Sequence, residues 1–161
     1  MKFMNDNASF SNVIGCIADP VLHTTLWEDS LRRSPEEACG LLFGTVEEKK
    51  ITIVRYLPVT NISKDPRRAF ELEPAAWVSS SFNPKLIGIY HSHPTAPPEP
   101  SSEDLRQLPL FAGKIVIYLI GSLMQGKKPP GEQGDFLIHA YAVEASKNSN
   151  YMLRKIPFIK I

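Results

Sequence analysis

Leu86-Ile87-Gly88-Ile89-Tyr90-His91-Ser92-His93-Pro94, followed after Thr95-Ala96-Pro97-Pro98-Glu99-Pro100 by Ser101-Ser102-Glu103-Asp104, decides how this chain is read. Leu86 to Tyr90 is apolar enough for a buried strand. The strand period of two sends the His91 and His93 side chains to one face. The prolines that follow stiffen the link and fix geometry without forming a regular element. Ser101 or Ser102 then caps a short helix through about Leu108, with Glu103 and Asp104 in its first turn. Two imidazole nitrogens and one carboxylate oxygen, from His91, His93 and Asp104, make a three-ligand zinc set. Such a set leaves a fourth position for water, the mark of a catalytic rather than a structural site. Iron, cobalt or manganese suits the same ligands.

Zinc lowers the pKa of its water to about 7. Amide hydrolysis also needs a proton carrier, and a glutamate is the usual partner. Glu36 and Glu37 both lead into the apolar stretch Ala38-Cys39-Gly40-Leu41-Leu42. An oxyanion donor is needed as well, and Ser101 is well placed in sequence to be one.

The remaining elements frame this site. Asp19-Pro20 opens a helix, with Asp19 as N-cap and Val21, Leu22, Thr25, Leu26 and Asp29 at helical spacing as far as Arg33. Residues 37–46 and 51–59 read as strands joined by the charged turn Glu47-Glu48-Lys49-Lys50, a hairpin. Residues 61–68 form a loop, 69–72 a brief strand and 74–81 a short helix. Further strands are expected over 114–120, 136–143 and 152–161, with a loop over 121–134. This is a mixed α/β class, a largely antiparallel sheet flanked by helices.

At 161 residues the chain reads as one domain, 1–161, with its motif core at about 15–145. A formal net charge of +1 gives no footprint for nucleic acid or an acidic membrane surface. Met1 to Ser11 lacks an apolar segment of the secretory kind. The longest apolar run, Ile115 to Met124, is too short to span a bilayer and reads as a strand. The two cysteines, Cys16 and Cys39, read as thiols in a reducing cytoplasm, Cys39 as a small buried residue. His23 and His139 read as ordinary surface or core histidines. No oligomeric state is implied.

With Glu37, His91-Ser92-His93-Pro94, six intervening residues and Ser101-Ser102-Glu103-Asp104, the chain resembles the JAMM or MPN-plus metalloproteases of the Mov34 superfamily. In that family a glutamate stands three residues before a strand glycine, which selects Glu37, before Gly40, over Glu36. By this resemblance Glu37 is the general acid/base, His91, His93 and Asp104 hold one catalytic zinc, and Ser101 helps to stabilise the oxyanion. The implied fold is the MPN/JAB-like, cytidine-deaminase-like one: a curved, mostly antiparallel sheet flanked by helices.

The implied reaction is hydrolysis of a peptide or isopeptide bond after the Gly-Gly end of a ubiquitin-like protein. The family's eukaryotic deubiquitinases carry a substantial insertion after the aspartate. Here only Leu105 to Gly113 separates Asp104 from the next strand. This compact form is similar to the stand-alone bacterial members that process ubiquitin-like sulfur-carrier proteins. The carrier's extended tail is expected to lie along a sheet edge, with residues 61–73 as a candidate edge or flap. Two other readings compete: a module that binds such a tail without cutting it, and a zinc hydrolase acting on another small amide or peptide.

Overall fold

A computed structural model describes residues 13–131, 135–148 and 150–160. In chain order it contains β1 (Gly15–Ala18), α1 (Pro20–Arg33), β2 (Cys39–Glu47), β3 (Lys50–Val59), α2 (Pro74–Ser81), β4 (Leu86–His93), α3 (Ser102–Gln107), a 3₁₀ turn (Leu108–Leu110), β5 (Ile117–Ser122), β6 (Leu137–Ala145), β7 (Tyr151–Ile156) and β8 (Phe158–Lys160). The strands form one eight-stranded sheet in the order β7-β6-β5-β4-β2-β3-β1-β8. Antiparallel pairings join β2 to β3 and β4, and β6 to β5 and β7. The β1–β3, β1–β8 and β4–β5 pairings are parallel. The expected mixed α/β, mostly antiparallel sheet with flanking helices is thus observed.

The sheet is curved, for a reason visible in its connectivity. β7 and β8 stand at opposite ends of the strand order, yet only Pro157 separates them. Ile156 pairs with Ala140 on β6, whereas Phe158 pairs with Cys16 on β1. The two ends of the sheet therefore converge at one residue. Proline has no N–H to give a ladder, so it suits the handover. Its carbonyl accepts from the Cys16 N–H at 3.0 Å.

Each face of the sheet carries its own core. On one, α1 lays Leu22 and Leu26 against Leu42, Ile53, Tyr90 and Leu119. On the other, Leu41, Ile89, Tyr118 and Ile120 pack with Phe70, Leu108 and Phe111. Asp19 starts α1 as foreseen, its Oδ1 accepting from the Leu22 N–H at 2.8 Å. Val21, placed in the same apolar stripe from sequence, points to solvent instead. Gly88 permits close contact of β4 and β5: an added Cβ would lie 2.3 Å from Ile117 Cγ2 and 2.5 Å from its carbonyl oxygen.

Several boundaries differ from the sequence reading. β2 begins at Cys39, leaving Glu37 in the connection before it. There the Glu37 N–H bonds to the Pro66 carbonyl rather than to a strand neighbour. Residues 69–72 make only the isolated Asn61–Leu72 bridge, because the loop turns back on itself. β5 begins later than expected, at Ile117, since Lys114 closes a turn on Phe111. The last expected strand is two, divided at Pro157. β1 went unread: its four residues are held by β3 and β8, partners distant in sequence. The N-terminal reading over Met1 to Ser11 lies outside the described residues.

Candidate metal centre

β4 sorts its side chains by parity. Ile89, His91 and His93 face the core beneath α2 and α3, while Tyr90 turns toward α1. His91 is fully enclosed, stacked on Phe70 with centroids 4.5 Å apart and edge-on to Tyr118 at 5.4 Å. His93 donates from Nδ1 to the Pro97 carbonyl at 2.7 Å. That bond fixes the tautomer and leaves Nε2 as a free lone pair facing the cluster.

The proline-rich link is held at three consecutive carbonyls. Ser122 Oγ donates to Ala96 O at 2.6 Å, His93 to Pro97 O, and Tyr141 Oη to Pro98 O at 2.8 Å. The link delivers α3 in a set place. Ser101 is its N-cap, in a capping box: Asp104 N–H donates to Ser101 Oγ at 3.1 Å, and Ser101 N–H to Asp104 Oδ2 at 2.8 Å.

These restraints bring three candidate ligand atoms together. His91 Nε2 and His93 Nε2 are 2.9 Å apart, and Asp104 Oδ2 lies 3.3 Å from each. A tetrahedral zinc with bonds of about 2.0–2.1 Å has ligand atoms about 3.3 Å apart, so this triangle has the size of one face of such a site. Glu37 Oε1 lies 3.8 Å from His91 Nε2, and one ligand atom from each of the four buried residues falls within 4.8 Å of the others. Glu37 Oε1 and His91 Nδ1 have no hydrogen-bond partner among the described residues. A buried carboxylate oxygen left so beside two imidazoles and an aspartate fits a group that binds at their centre. The donor set is chemically suited to zinc.

The electrostatics separate the two carboxylates. Burial pushes Glu37 up to about 8, with Asp104 and Asp65 adding to the effect and His93 opposing it. Burial also acts on Asp104, but His91, His93 and the Ser101 N–H outweigh it and hold this carboxyl well below the usual range. Burial lowers His91. It acts the same way on His93, where hydrogen bonds to Asp104 and Pro97 reverse the sign. The same burial thus has opposite outcomes: the neighbours of Asp104 stabilise its anion, whereas Glu37 is left harder to ionise.

All four residues singled out for ligand and proton-transfer chemistry converge, and Ser101 sits beside them as the cap of α3. His23 stacks on Phe158 and His139 lies on β6; neither joins the cluster. Cys39 is buried, its thiol pushed up to about 12 by burial and bonded to Val59 O at 3.4 Å. Sequence reading passed over Ser92, between the two histidines. Its Oγ accepts from Ala38 N–H at 2.8 Å and its N–H donates to Ala38 O at 2.9 Å, clamping the residue after Glu37. A small hydroxyl residue between the two histidines, of opposite strand parity to them, was the available signal.

Fold and cluster together define a protein built around a buried two-histidine, one-aspartate centre with a glutamate beside it. The chain belongs to the family described as prokaryotic homologs of the JAB domain, which matches residues 19–134. It is similar to desampylase of Haloferax volcanii, 38% identical over 93 residues, which are 55% of this chain and 63% of that protein. It is also similar to the probable TtuB-protein conjugate cleaving protease of Thermus thermophilus, 32% identical over 82 residues, 48% of this chain and 52% of that protein. The chain therefore spans less than two thirds of the length of these relatives. The solution structure of protein DSY2949 from Desulfitobacterium hafniense shares the fold, with a TM-score of 0.68 at 22% identity over 91% of this chain and 92% of that one.

Proposed function

We propose that this chain is a zinc-dependent metallopeptidase that hydrolyses the amide bond after the Gly-Gly end of a ubiquitin-like, sulfur-carrier protein. The observation that carries the reading is the convergence of His91, His93, Asp104 and Glu37 within 4.8 Å. Kinship with proteins named desampylase and TtuB-protein conjugate cleaving protease supports a ubiquitin-like conjugate as substrate.

His91 Nε2, His93 Nε2 and Asp104 Oδ2 would hold the zinc ion. Bound there, zinc supplies Lewis acidity and a water acidic enough to ionise near pH 7. Glu37 takes the nucleophile's proton on its carboxylate and returns it to the leaving amine. Its place 3.8 Å from His91 Nε2 sets it beside the ligand cluster, where both transfers occur. Ser101 accepts the Asp104 N–H through Oγ, which leaves its own O–H free to donate to the developing oxyanion.

We read the described residues as one domain, since a single sheet joins all eight strands. A cytoplasmic setting accords with two free, buried cysteines. No helix among the described residues is long and apolar enough to cross a membrane. The near-neutral charge speaks against a nucleic-acid partner.

Intact mass tests the proposal. Zinc-loaded protein is incubated with a sulfur-carrier protein extended by a few residues past Gly-Gly, beside a Glu37→Gln control. Loss of the extension in the wild type alone is the expected result. No cleavage by zinc-loaded wild type would overturn the substrate assignment, leaving a tail-binding module or a hydrolase of other amides.

A further inference from the structure

Glu37 presents a problem of placement. It stands outside β2, in the connection that follows Ser34-Pro35, and its Oε1 has no hydrogen-bond partner among the described residues. Its direction must come largely from its backbone. On one side the Glu37 N–H donates to Pro66 O at 2.7 Å; on the other, the Glu37 carbonyl accepts from Asn61 Nδ2 at 3.0 Å. Both partners belong to the loop that follows β3.

Asn61 holds that loop together. Its Nδ2 also donates to Ala69 O at 3.1 Å, while its Oδ1 accepts from the N–H groups of Ser63 and Glu71, each at 3.0 Å. A carboxamide has two donor hydrogens and two acceptor lone pairs, and here all four are used. Rotating the amide by half a turn would set its oxygen against two carbonyls and its nitrogen against two N–H groups, so the pattern fixes its orientation. Around this centre Ile62 N–H donates to Glu71 O at 2.9 Å, and Ala69 N–H to Asp65 O at 3.0 Å. The same loop ends in Phe70, the ring stacked on His91.

We infer that Asn61 is a positioning residue for Glu37: its carboxamide ties residues 61–71 into a clasp that grips the Glu37 backbone from both sides. The segment expected from sequence as a flap is in this account a fixed buttress. Asn61 touches no reacting atom and acts only through Glu37. The inference rests on the reading of Glu37 as proton carrier, but its structural half can be tested without that reading.

Asn61→Asp is the informative variant, because it keeps the Oδ1 acceptor for Ser63 and Glu71 and turns the donor side into a second acceptor facing Glu37 O and Ala69 O. Asn61→Ala, which removes everything, is the companion in case the aspartate repels too strongly. Amide hydrogen exchange by mass spectrometry on the full chain is read first. Peptides covering 36–39 and 61–71 should exchange at least about tenfold faster than in the wild type, with β5 and β6 unchanged. Zinc content should match the wild type. Turnover of the extended carrier protein should fall about 10–100-fold, the range for residues supporting an active-site group, through kcat with KM within about twofold.

Wild-type exchange over 36–39 in both variants would overturn the clasp, whatever the activity. Faster exchange with undiminished kcat would overturn the positioning role. Should Glu37→Gln itself turn over at the wild-type rate, the proton-carrier reading fails, and the exchange data alone still decide the clasp.

Discussion

Two buried polar clusters lie on opposite faces of β4, and they are finished differently. On the α1 side, Asp29 accepts from Arg33 at 2.6 Å and from Tyr56 Oη at 2.7 Å; Arg33 reaches on to Val59 O and Cys39 O, both at 2.7 Å; and Tyr90 Oη meets Ser30 Oγ. Each side-chain nitrogen and oxygen of these residues has a partner. On the other side, Glu37 Oε1, His91 Nδ1 and Tyr118 Oη, packed edge-on to His91, have no hydrogen-bond partner among the described residues. A completed network rigidifies; an incomplete one is retained for something it binds. The first cluster secures α1 to the ends of β2 and β3, and the second is the candidate centre. Burial alone does not separate them, since Asp29, Ser30 and Tyr90 are as buried as Glu37 and His93, although Arg33 on the first side reaches the surface.

The contrast can be broken at either cluster. The largest effect is expected at a ligand. His93→Ala should abolish zinc binding, read by metal analysis after gel filtration, and reduce turnover to background. Glu37→Gln comes next: turnover should drop about 10²–10⁴-fold, with zinc retained and thermal stability held or slightly raised, because the substitution removes a poorly solvated carboxyl. A wild-type rate in this variant would remove Glu37 from the chemistry.

Asp29→Ala should show the reverse profile. Loss of the carboxylate from this partly buried, charge-assisted pair costs about 1.5–3 kcal/mol, measured by urea unfolding, while zinc content of the folded fraction stays at the wild-type level. The pH dependence sharpens this. Burial opposes ionisation of Asp29, but Arg33, Tyr56 and Arg32 outweigh it and hold its folded pKa below the ordinary value. Its contribution is therefore complete above the unfolded pKa of about 3.9 and fades as pH falls through the lower folded value. With metal chelated throughout, the stability gap between wild type and Asp29→Asn should be constant above about pH 5 and shrink below about pH 4. A gap that widened on acidification would contradict the assignment. The smallest effect is predicted for Tyr118→Phe: deleting a hydroxyl without a partner should change stability by less than about 1 kcal/mol, in either direction.

The site was far more legible than the frame around it. His91, His93, Ser101 and Asp104 lie in one short stretch, so local rules of strand parity and helix capping carry over directly to their positions. Glu37 is remote in sequence, and only a family resemblance distinguished it from Glu36. The residues that hold it, Ser92 and Asn61, act through backbone groups and carry no local pattern beyond being polar. β1 escaped for a related reason: four residues are too few for periodicity, and its partners β3 and β8 are not its sequence neighbours. β8 was expected only as the end of one longer strand, because three residues give no sign of the change of partner at Pro157. Where pairing is local, as in α1 or the β2–β3 hairpin, the boundaries fell within a residue or two.

The handover at Pro157 also bears on how the protein is made. Residues 151–160 supply the outermost strand at both ends of the sheet, and they leave the ribosome after every other strand. Until then β6 and β1 each present an uncovered row of backbone donors and acceptors to any neighbouring chain. One ten-residue segment thus covers two sticky flanks at once. Shortening it would leave a nascent protein with its centre assembled and both flanks open to self-association.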